Sequence, residues 1–541
     1  MSSPLKFLEP VFHLLPEVKS PTTPPTFSQK AVWTLLALVI FFAMYNVAAV
    51  GVSSRLAGSN DFLQIVTASK MGSLLTTGIG PIVLASIFLQ LFVGAKLLDI
   101  NLKDPEQRSQ FYGTQKLLAI LLCVFEAYVY VMIGHLPLQP LFSGMEGTVV
   151  GVASAGVASV QTLSGAYINV PMSNPEAAIN SVYAPYTAII VLAQIALGSI
   201  VLLFLDEVVA KHGLGSGISL FIAAGVSLAI IGGAINLFTA QGGIFDLLKS
   251  GGAEVIATAL MACLPLIFTA IVFLVVAYME GVKVEVPLSF DRGRGFVTGF
   301  PIKLTYVSNI PVILALALIA NFQFLAMAMA GAHWCVSGAA NLSPSADPLN
   351  YCQGGIDLFA VLGLAQGGGA AGQARFVDGL FYLISPVFRP ANGLDYGGYI
   401  SYMLTATTPV WNIPEPVHIL IYTVFLMIVC VLFGQFWVET TGMGPKEVAE
   451  QLDSAGLQIP GFRRDPRVVS ALLEKYIPPI VVIGSAFVGL LAAAADLTGA
   501  LGTGTGILLT VAIVYKFYQD IERQQVFETS ALMSGLLGKG R

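Results

Sequence analysis

Glu126 is the one clear carboxylate inside an apolar run of this sequence, and its polar company is uncharged: Asn46, Gln90, Gln194 and Asn321. A secondary transporter of a small solute couples to ions through several charges at membrane depth, and one is too few. The five histidines, His13, His135, His212, His333 and His418, are scattered over loops and the edges of apolar runs. No His-Glu-x-x-His, Gly-x-x-x-x-Gly-Lys-Ser/Thr or Gly-x-Gly-Asp pattern occurs. The sequence therefore predicts no metal, no cofactor and no catalytic group, so an intramembrane enzyme is the weaker reading. What the apolar runs offer instead is Ile79, Val83, Ile218, Ile222, Ile313 and Leu509. A collar of such residues gates by dewetting and selects no small solute.

The elements that must position this collar are membrane spans. Of 541 residues 56% are hydrophobic and 11% charged, with mean hydropathy +0.80. A soluble domain carries about 25% charged residues, so the chain is a polytopic membrane protein. Apolar runs of span length fall near 31–50, 76–98, 115–136, 184–206, 216–238, 257–280, 304–326, 417–438, 474–496 and 503–521. The loops between these ten runs divide the 26 Lys and Arg into sets of 21 and 5, which predicts both termini in the cytoplasm. Met1 to Lys30 has prolines, charges and no apolar core, so no cleavable signal is expected there, and 5–15 reads as a short surface amphipathic helix. The formal charge of −5 is uninformative, because the charges are segregated by loop.

The second run is broken. Asp61 to Met71 is too short to cross and carries Asp61 and Lys70, while Ile79 to Leu98 can cross. Between them, Thr76-Thr-Gly-Ile-Gly-Pro81 interrupts the helix, since Pro81 lacks a donor and disfavours helical geometry at Gly80. Broken backbone at membrane depth belongs where protein buries it or where it lines a cavity.

Divided near residue 255, each half holds five spans, and an odd count inverts the second half relative to the first. Ile79-Gly-Pro-Ile-Val in span two answers Ile310-Pro-Val-Ile-Leu in span seven. Gly213-Leu-Gly-Ser-Gly-Ile in span five answers Gly502-Thr-Gly-Thr-Gly-Ile in span ten. The pathway is thus expected between the halves, lined by spans two, five, seven and ten. Long external loops at 137–183 and 327–416 are weakly charged, and Cys335 and Cys352 share the second. A disulfide between them is expected on the oxidising side, contributing about 3 kcal/mol.

At this point a family resemblance carries further. Thr67-Ala-Ser-Lys through Gly78-Ile-Gly-Pro, Gln115-Lys-Leu-Leu, Leu205-Asp-Glu, Pro301-Ile-Lys, Phe436-Trp-Val-Glu-Thr-Thr-Gly, Gly461-Phe-Arg, Tyr476-Ile-Pro-Pro and Gly504-Thr-Gly-Ile-Leu-Leu occur in order along nearly the whole chain. In these motifs the chain resembles the SecY family, the protein-conducting channel subunits of the Sec translocon, in the archaeal form close to the eukaryotic alpha subunit.

The resemblance implies an all-α protein of ten transmembrane helices in two inverted halves around an hourglass pore. Its domains would be a segment at 1–30, a first half at 31–255, a second half at 256–525 and a tail at 526–541. A plug at about 61–74 would include Asp61, Phe62, Ile65, Val66, Thr67, Ser69 and Lys70. The constriction ring would be the six apolar residues named above. A lateral gate of spans two and three against seven and eight would hold Glu126, Asn321, Gln90 and Leu84, the last where a threonine is frequent.

The implied ribosome-docking residues are Arg292, Arg294, Arg463, Arg464 and Arg467, cationic groups suited to phosphate. Implied partners are the SecE/gamma and beta small membrane subunits, the ribosome, signal-bearing nascent polypeptides, membrane lipid and, indirectly, the signal recognition particle pathway. The expected location is the cell membrane, with the endoplasmic reticulum as the alternative, since no retention signal is visible.

Overall fold

Gly, Pro and capping residues cut the apolar runs into helices, some of them longer than the predicted spans: Pro105–Met132 and Pro175–His212 start well ahead of 115 and 184, and Gly504–Gly538 runs past 521 through most of the expected tail. The computed structural model describes residues 10, 15–23, 25–52, 64, 67–94, 97–98, 100, 104–132, 148–153, 157–161, 167–171, 175–239, 244–245, 249, 253–290, 297–303, 306–307, 310–329, 339–340, 352–353, 361–366, 375–387, 396–409, 411–454, 457–458 and 466–538. The first half comprises α1 (Phe27–Asn46), α2 (Gly80–Gly94), α3 (Pro105–Met132), α4 (Pro175–His212) and α5 (Gly217–Thr239). The second comprises α6 (Ala253–Glu280), α7 (Ile310–Met329), α8 (Glu415–Thr441), α9 (Pro466–Leu497) and α10 (Gly504–Gly538).

Seven of these are long and apolar enough to cross a membrane, Gly80–Val93 and Ile310–Gln323 are shorter apolar helices, and α10 completes the ten. At 15 residues α2 is about 22 Å long, less than the roughly 30 Å hydrocarbon core. The broken backbone ahead of it makes up the remaining depth. Alternating chain direction puts the start of α1 and the end of α10 on one face, here the terminal face; the other is the loop face.

The inverted repeat is visible in the packing. In each half the second helix packs on the third, the third on the fourth, the fourth on the fifth and the first on the fifth. The halves meet along two lines: α2 against α7 and α8, and α5 against α10. Each half also closes its fourth-to-fifth turn with a carboxylate at the end of the fourth helix. Asp206 Oδ1 accepts the Ile218 N–H at 2.8 Å, and Asp496 Oδ1 accepts both the N–H and the hydroxyl of Thr505 at 2.8 and 2.9 Å. Both satisfy donors that a helix start leaves open.

The membrane body is all-helical, and the loops carry short strands that the sequence reading did not anticipate. On the terminal face β4 (Lys283–Phe290) and β5 (Val297–Lys303) form a hairpin in register from Lys283↔Lys303 to Ser289↔Val297. A two-residue strand, Leu457–Gln458, joins its other edge opposite Phe290 and Ser289. On the loop face Thr148–Ala153, Val157–Gln161 and Tyr167–Pro171 form a three-stranded meander.

Residues 16–19 are tied to the terminal-face ends of α3 and α4. Lys116 bridges Glu207 at 2.7 Å and the Pro16 carbonyl at 2.6 Å. Lys211 holds Glu207, Glu17 and the Val18 carbonyl. Apart from residues 10 and 15, the expected surface helix at 5–15 lies outside the described residues.

Candidate functional site: a sealed constriction and its seam

Five of the six collar residues are buried in one apolar cluster: Ile79, Val83, Ile222, Ile313 and Leu509; Ile218, half-buried, packs against it. They come from four elements: the α2 start, α5, α7 and α10. Ile79 and Val83, and Ile218 and Ile222, are four apart, so each pair stacks on one helical face. Around these positions the packing is hydrocarbon.

Beneath α2 the broken segment is a packed collar rather than a loose loop. Residues 47–49, just after α1, pair with 72–74: Ala49 N–H donates to Gly72 O at 2.8 Å and Leu74 N–H to Val47 O at 3.1 Å. Ile79 N–H returns to Thr67 O at 2.8 Å, closing a loop from 67 to 79. Inside it Thr67 and Ser69 hydroxyls bond at 2.7 Å, Thr76 Oγ1 donates to Ser73 O at 2.6 Å, and the Thr77 hydroxyl meets that of Ser199 on α4.

Two glycines permit this. Gly78 has φ +58°, and a Cβ there would stand 2.2 Å from Thr67 O; a Cβ at Gly198 would stand 2.0 Å from Leu74 O. Of the residues assigned to the plug, Thr67, Ser69 and Lys70 lie in this collar. Lys70 Nζ reaches Asn46 Oδ1 at 3.4 Å and stands over the Tyr45 ring. Asp61, Phe62, Ile65 and Val66 lie outside the described residues.

The seam is finished differently. Glu126 on α3 is buried against the collar, where a Cβ on Gly80 would stand 3.2 Å from its Oε2 and 3.5 Å from Thr67 Cγ2. Among the described residues its Oε1 has no hydrogen-bond partner. Asn321 turns its amide into its own helix, donating to Ala317 O at 2.8 Å, and no hydrogen bond joins it to Glu126. Gln90 likewise donates to Ser86 Oγ within α2, and Leu84 is buried. Glu126, which the resemblance puts with Asn321 among the gate residues, thus packs against the collar.

Of the five docking arginines, Arg292, Arg294, Arg463 and Arg464 lie outside the described residues, and Arg467 is exposed at the start of α9. The sheet of β4, β5 and Leu457–Gln458 nevertheless joins the two loops that carry them. The expected Cys335–Cys352 disulfide lies outside the described residues, although Cys352 begins a short strand paired with Ala339–Ala340. Among the described residues no cluster of His, Cys, Asp and Glu is arranged to hold a metal ion.

Comparison with known proteins agrees on one family. The SecY family pattern matches residues 73–518. The chain is 37% identical over 535 residues to the protein translocase subunit SecY of Methanocaldococcus jannaschii, covering 99% of this chain and 100% of the relative. A solved structure concerning the plug domain of the SecY protein, which stabilises the closed translocation channel and maintains a membrane seal, superposes with TM-score 0.66 at 35% identity, covering 96% and 97% of the two chains. Sec61 in the canine ribosome-channel complex from the endoplasmic reticulum gives TM-score 0.66 at 36% identity, with the same coverage.

Proposed function

The chain belongs to the SecY family, and from that premise we propose that it is the central pore-forming subunit of a Sec translocon. It passes unfolded secretory polypeptides across the membrane between its halves and releases apolar segments into lipid between α2/α3 and α7/α8. The observation that carries this reading is the burial of Ile79, Val83, Ile222, Ile313 and Leu509 in one apolar cluster between the halves, with Ile218 packed against it. Ions cross a wet pore, and an apolar ring keeps the pathway dry until a chain large enough to displace it enters.

The packed collar at 67–79 holds Thr67, Ser69 and Lys70 of the proposed plug at about 61–74 and serves as its anchor. Glu126, lodged at that anchor, then links plug and gate. The chain catalyses no reaction and binds no cofactor; the driving force comes from a partner. In the related canine complex that partner is the ribosome.

Arg292, Arg294, Arg463, Arg464 and Arg467 dock it, with the shared sheet of both loops as their common base. The SecE/gamma and beta subunits complete the assembly, signal-bearing nascent polypeptides are its cargo, lipid receives the transmembrane segments, and the signal recognition particle pathway delivers to it indirectly. The charge split supports a cell-membrane location with both termini cytoplasmic, which makes the terminal face the cytoplasmic one.

Co-sedimentation with ribosomes over a salt series tests the docking. Binding of the parent is expected to fall steeply as salt rises, and the Arg463→Glu, Arg464→Glu double variant to bind at least tenfold more weakly with a shallower salt slope. Equal binding by both proteins would remove these residues from the interface.

A further inference from the structure

At the loop-face end of α8 lies a buried cluster that neither the ring nor the seam uses. Glu415, the first residue of α8, and His418 are 2% and 1% exposed. His418 Nδ1 is 2.9 Å from Glu415 Oε1, and Nε2 is 3.0 Å from the Ser385 carbonyl oxygen. Tyr382 Oη donates to Glu415 Oε2 at 2.6 Å, and its ring lies 4.2 Å from the imidazole.

These contacts fix the protons. Burial first, and then the Glu415 carboxylate and Tyr402, push the Tyr382 phenol far above its ordinary range, so it stays protonated and donates. At 2.6 Å its bond has the length of an O–H···O⁻ contact, which makes Glu415 the carboxylate. A carbonyl oxygen only accepts, so Nε2 carries a hydrogen; a carboxylate only accepts, so Nδ1 carries one too. Both ring nitrogens of His418 thus face acceptors, with Nδ1 against Glu415 and Nε2 against the Ser385 carbonyl.

The nearest other acids are engaged elsewhere. Asp378, ahead of the short helix Leu380–Leu383, accepts the N–H groups of Gly379 and Trp411 at 2.8 and 2.9 Å. Asp496 accepts from Thr505 and from Tyr422, which lies one turn beyond His418 on α8.

The partners of the pair belong to a cap over the loop face. Leu380–Leu383 packs on α7 and α8, and the helix Tyr396–Thr405 packs on α6 and α8, with Tyr399 Oη donating to Leu497 O at the end of α9. All these helices are in the second half.

We propose that Glu415 and His418 are positioning residues whose buried ion pair clamps this cap to α8. Cap, α7 and α8 then move as one body when the seam parts. The chemistry of the pair stands alone; its consequence for gating rests on the channel reading. Breaking such a pair from one side leaves a buried charge uncompensated, which makes the clamp all-or-none.

Two measurements on the assembled channel complex in lipid vesicles decide it. In solid-state NMR with ¹⁵N-labelled histidine, the signal lost in His418→Gln is expected to have both nitrogens protonated. In Glu415→Gln, whose amide can donate to Nδ1, it becomes neutral. A bare ring nitrogen at His418 in the parent overturns the pair.

For motion, spin labels are placed at exposed Leu380 on the cap, Leu420 on α8 and Phe88 on α2. On adding a signal peptide, the 380–420 distance is expected to hold while 380–88 lengthens. In Glu415→Ala the 380–420 distance broadens. A parent in which 380–420 changes with 380–88 overturns the clamp, as does a Glu415→Ala variant identical to the parent. If 380–88 alone fails to change, the channel reading fails and the ion pair does not.

Discussion

The constriction and the seam share α2 and α7, yet one is finished in hydrocarbon and the other with polar groups. At the constriction four elements contribute only Ile, Val and Leu, and the collar below satisfies its hydroxyls and its returning backbone locally. Outside the ring, Glu126 on α3 rests against the collar with a carboxyl oxygen unpartnered among the described residues, and Asn321 on α7 spends its amide on its own helix. A seal has to be dry and unique in shape, so it tolerates neither an orphaned polar atom nor loose packing. A seam has to part, and a polar group that gains partners or water on parting lowers the cost of opening. On the proposed channel reading, the difference in finish follows from that difference in task.

Three substitutions press on this contrast, in falling order of effect. Gly198→Val drives a side chain into Leu74 O and should lever α4 off the collar. Overpacking of this kind costs about 1–3 kcal/mol, more where the obstacle is backbone. The expected outcome is a marked loss of folded, protease-resistant channel. Wild-type yield and resistance would mean that the collar is soft.

Glu126→Leu replaces the orphaned carboxyl with an apolar group and should hold the seam shut more firmly. A gain of about 1.4 kcal/mol for the closed form lowers a small open fraction tenfold. Reporters with graded signal hydrophobicity should then need stronger signals. A lowered threshold would show that Glu126 braces the closed state instead.

Asn321→Leu should have the smallest effect, within about 0.5 kcal/mol, because its amide bonds within α7 and not across the seam. The same reporters measure it. A shift as large as that of Glu126→Leu would restore the pairing across the gate.

How far these features are legible in the sequence depends on what kind of signal each leaves. Ten apolar runs and the Gly-Pro break are visible because length and helix-breaking chemistry are one-dimensional. The partner of Glu126 is not, since α3 and α7 are apolar on the lipid side as well as the core side, and no stripe shows which face turns inward. The packing of Thr67 and Ser69 in the collar is hidden for a related reason: both are polar, and only their bond to each other and the return of Ile79 N–H to Thr67 O fix them.

Two signals were present but unused. Val284, Val286, Leu288 and Phe290 alternate, as a strand with one apolar face does. Glu415 and His418 are three apart at a helix start, the spacing at which side chains meet. The Asp206 and Asp496 caps show the repeat more sharply than the glycine motifs that first suggested it, because both carboxylates do the same job at inverted positions.

The central claim is that an uninterrupted apolar ring seals a resting polypeptide channel. Planar-bilayer conductance of the Ile79→Asn, Ile222→Asn variant tests it most directly. Both side chains are buried in the cluster, and two amides there should wet it. A steady ion leak in the variant, under conditions where the parent is silent, is the predicted result. Conductance indistinguishable from the parent, in a variant that is folded and assembled, would contradict the account.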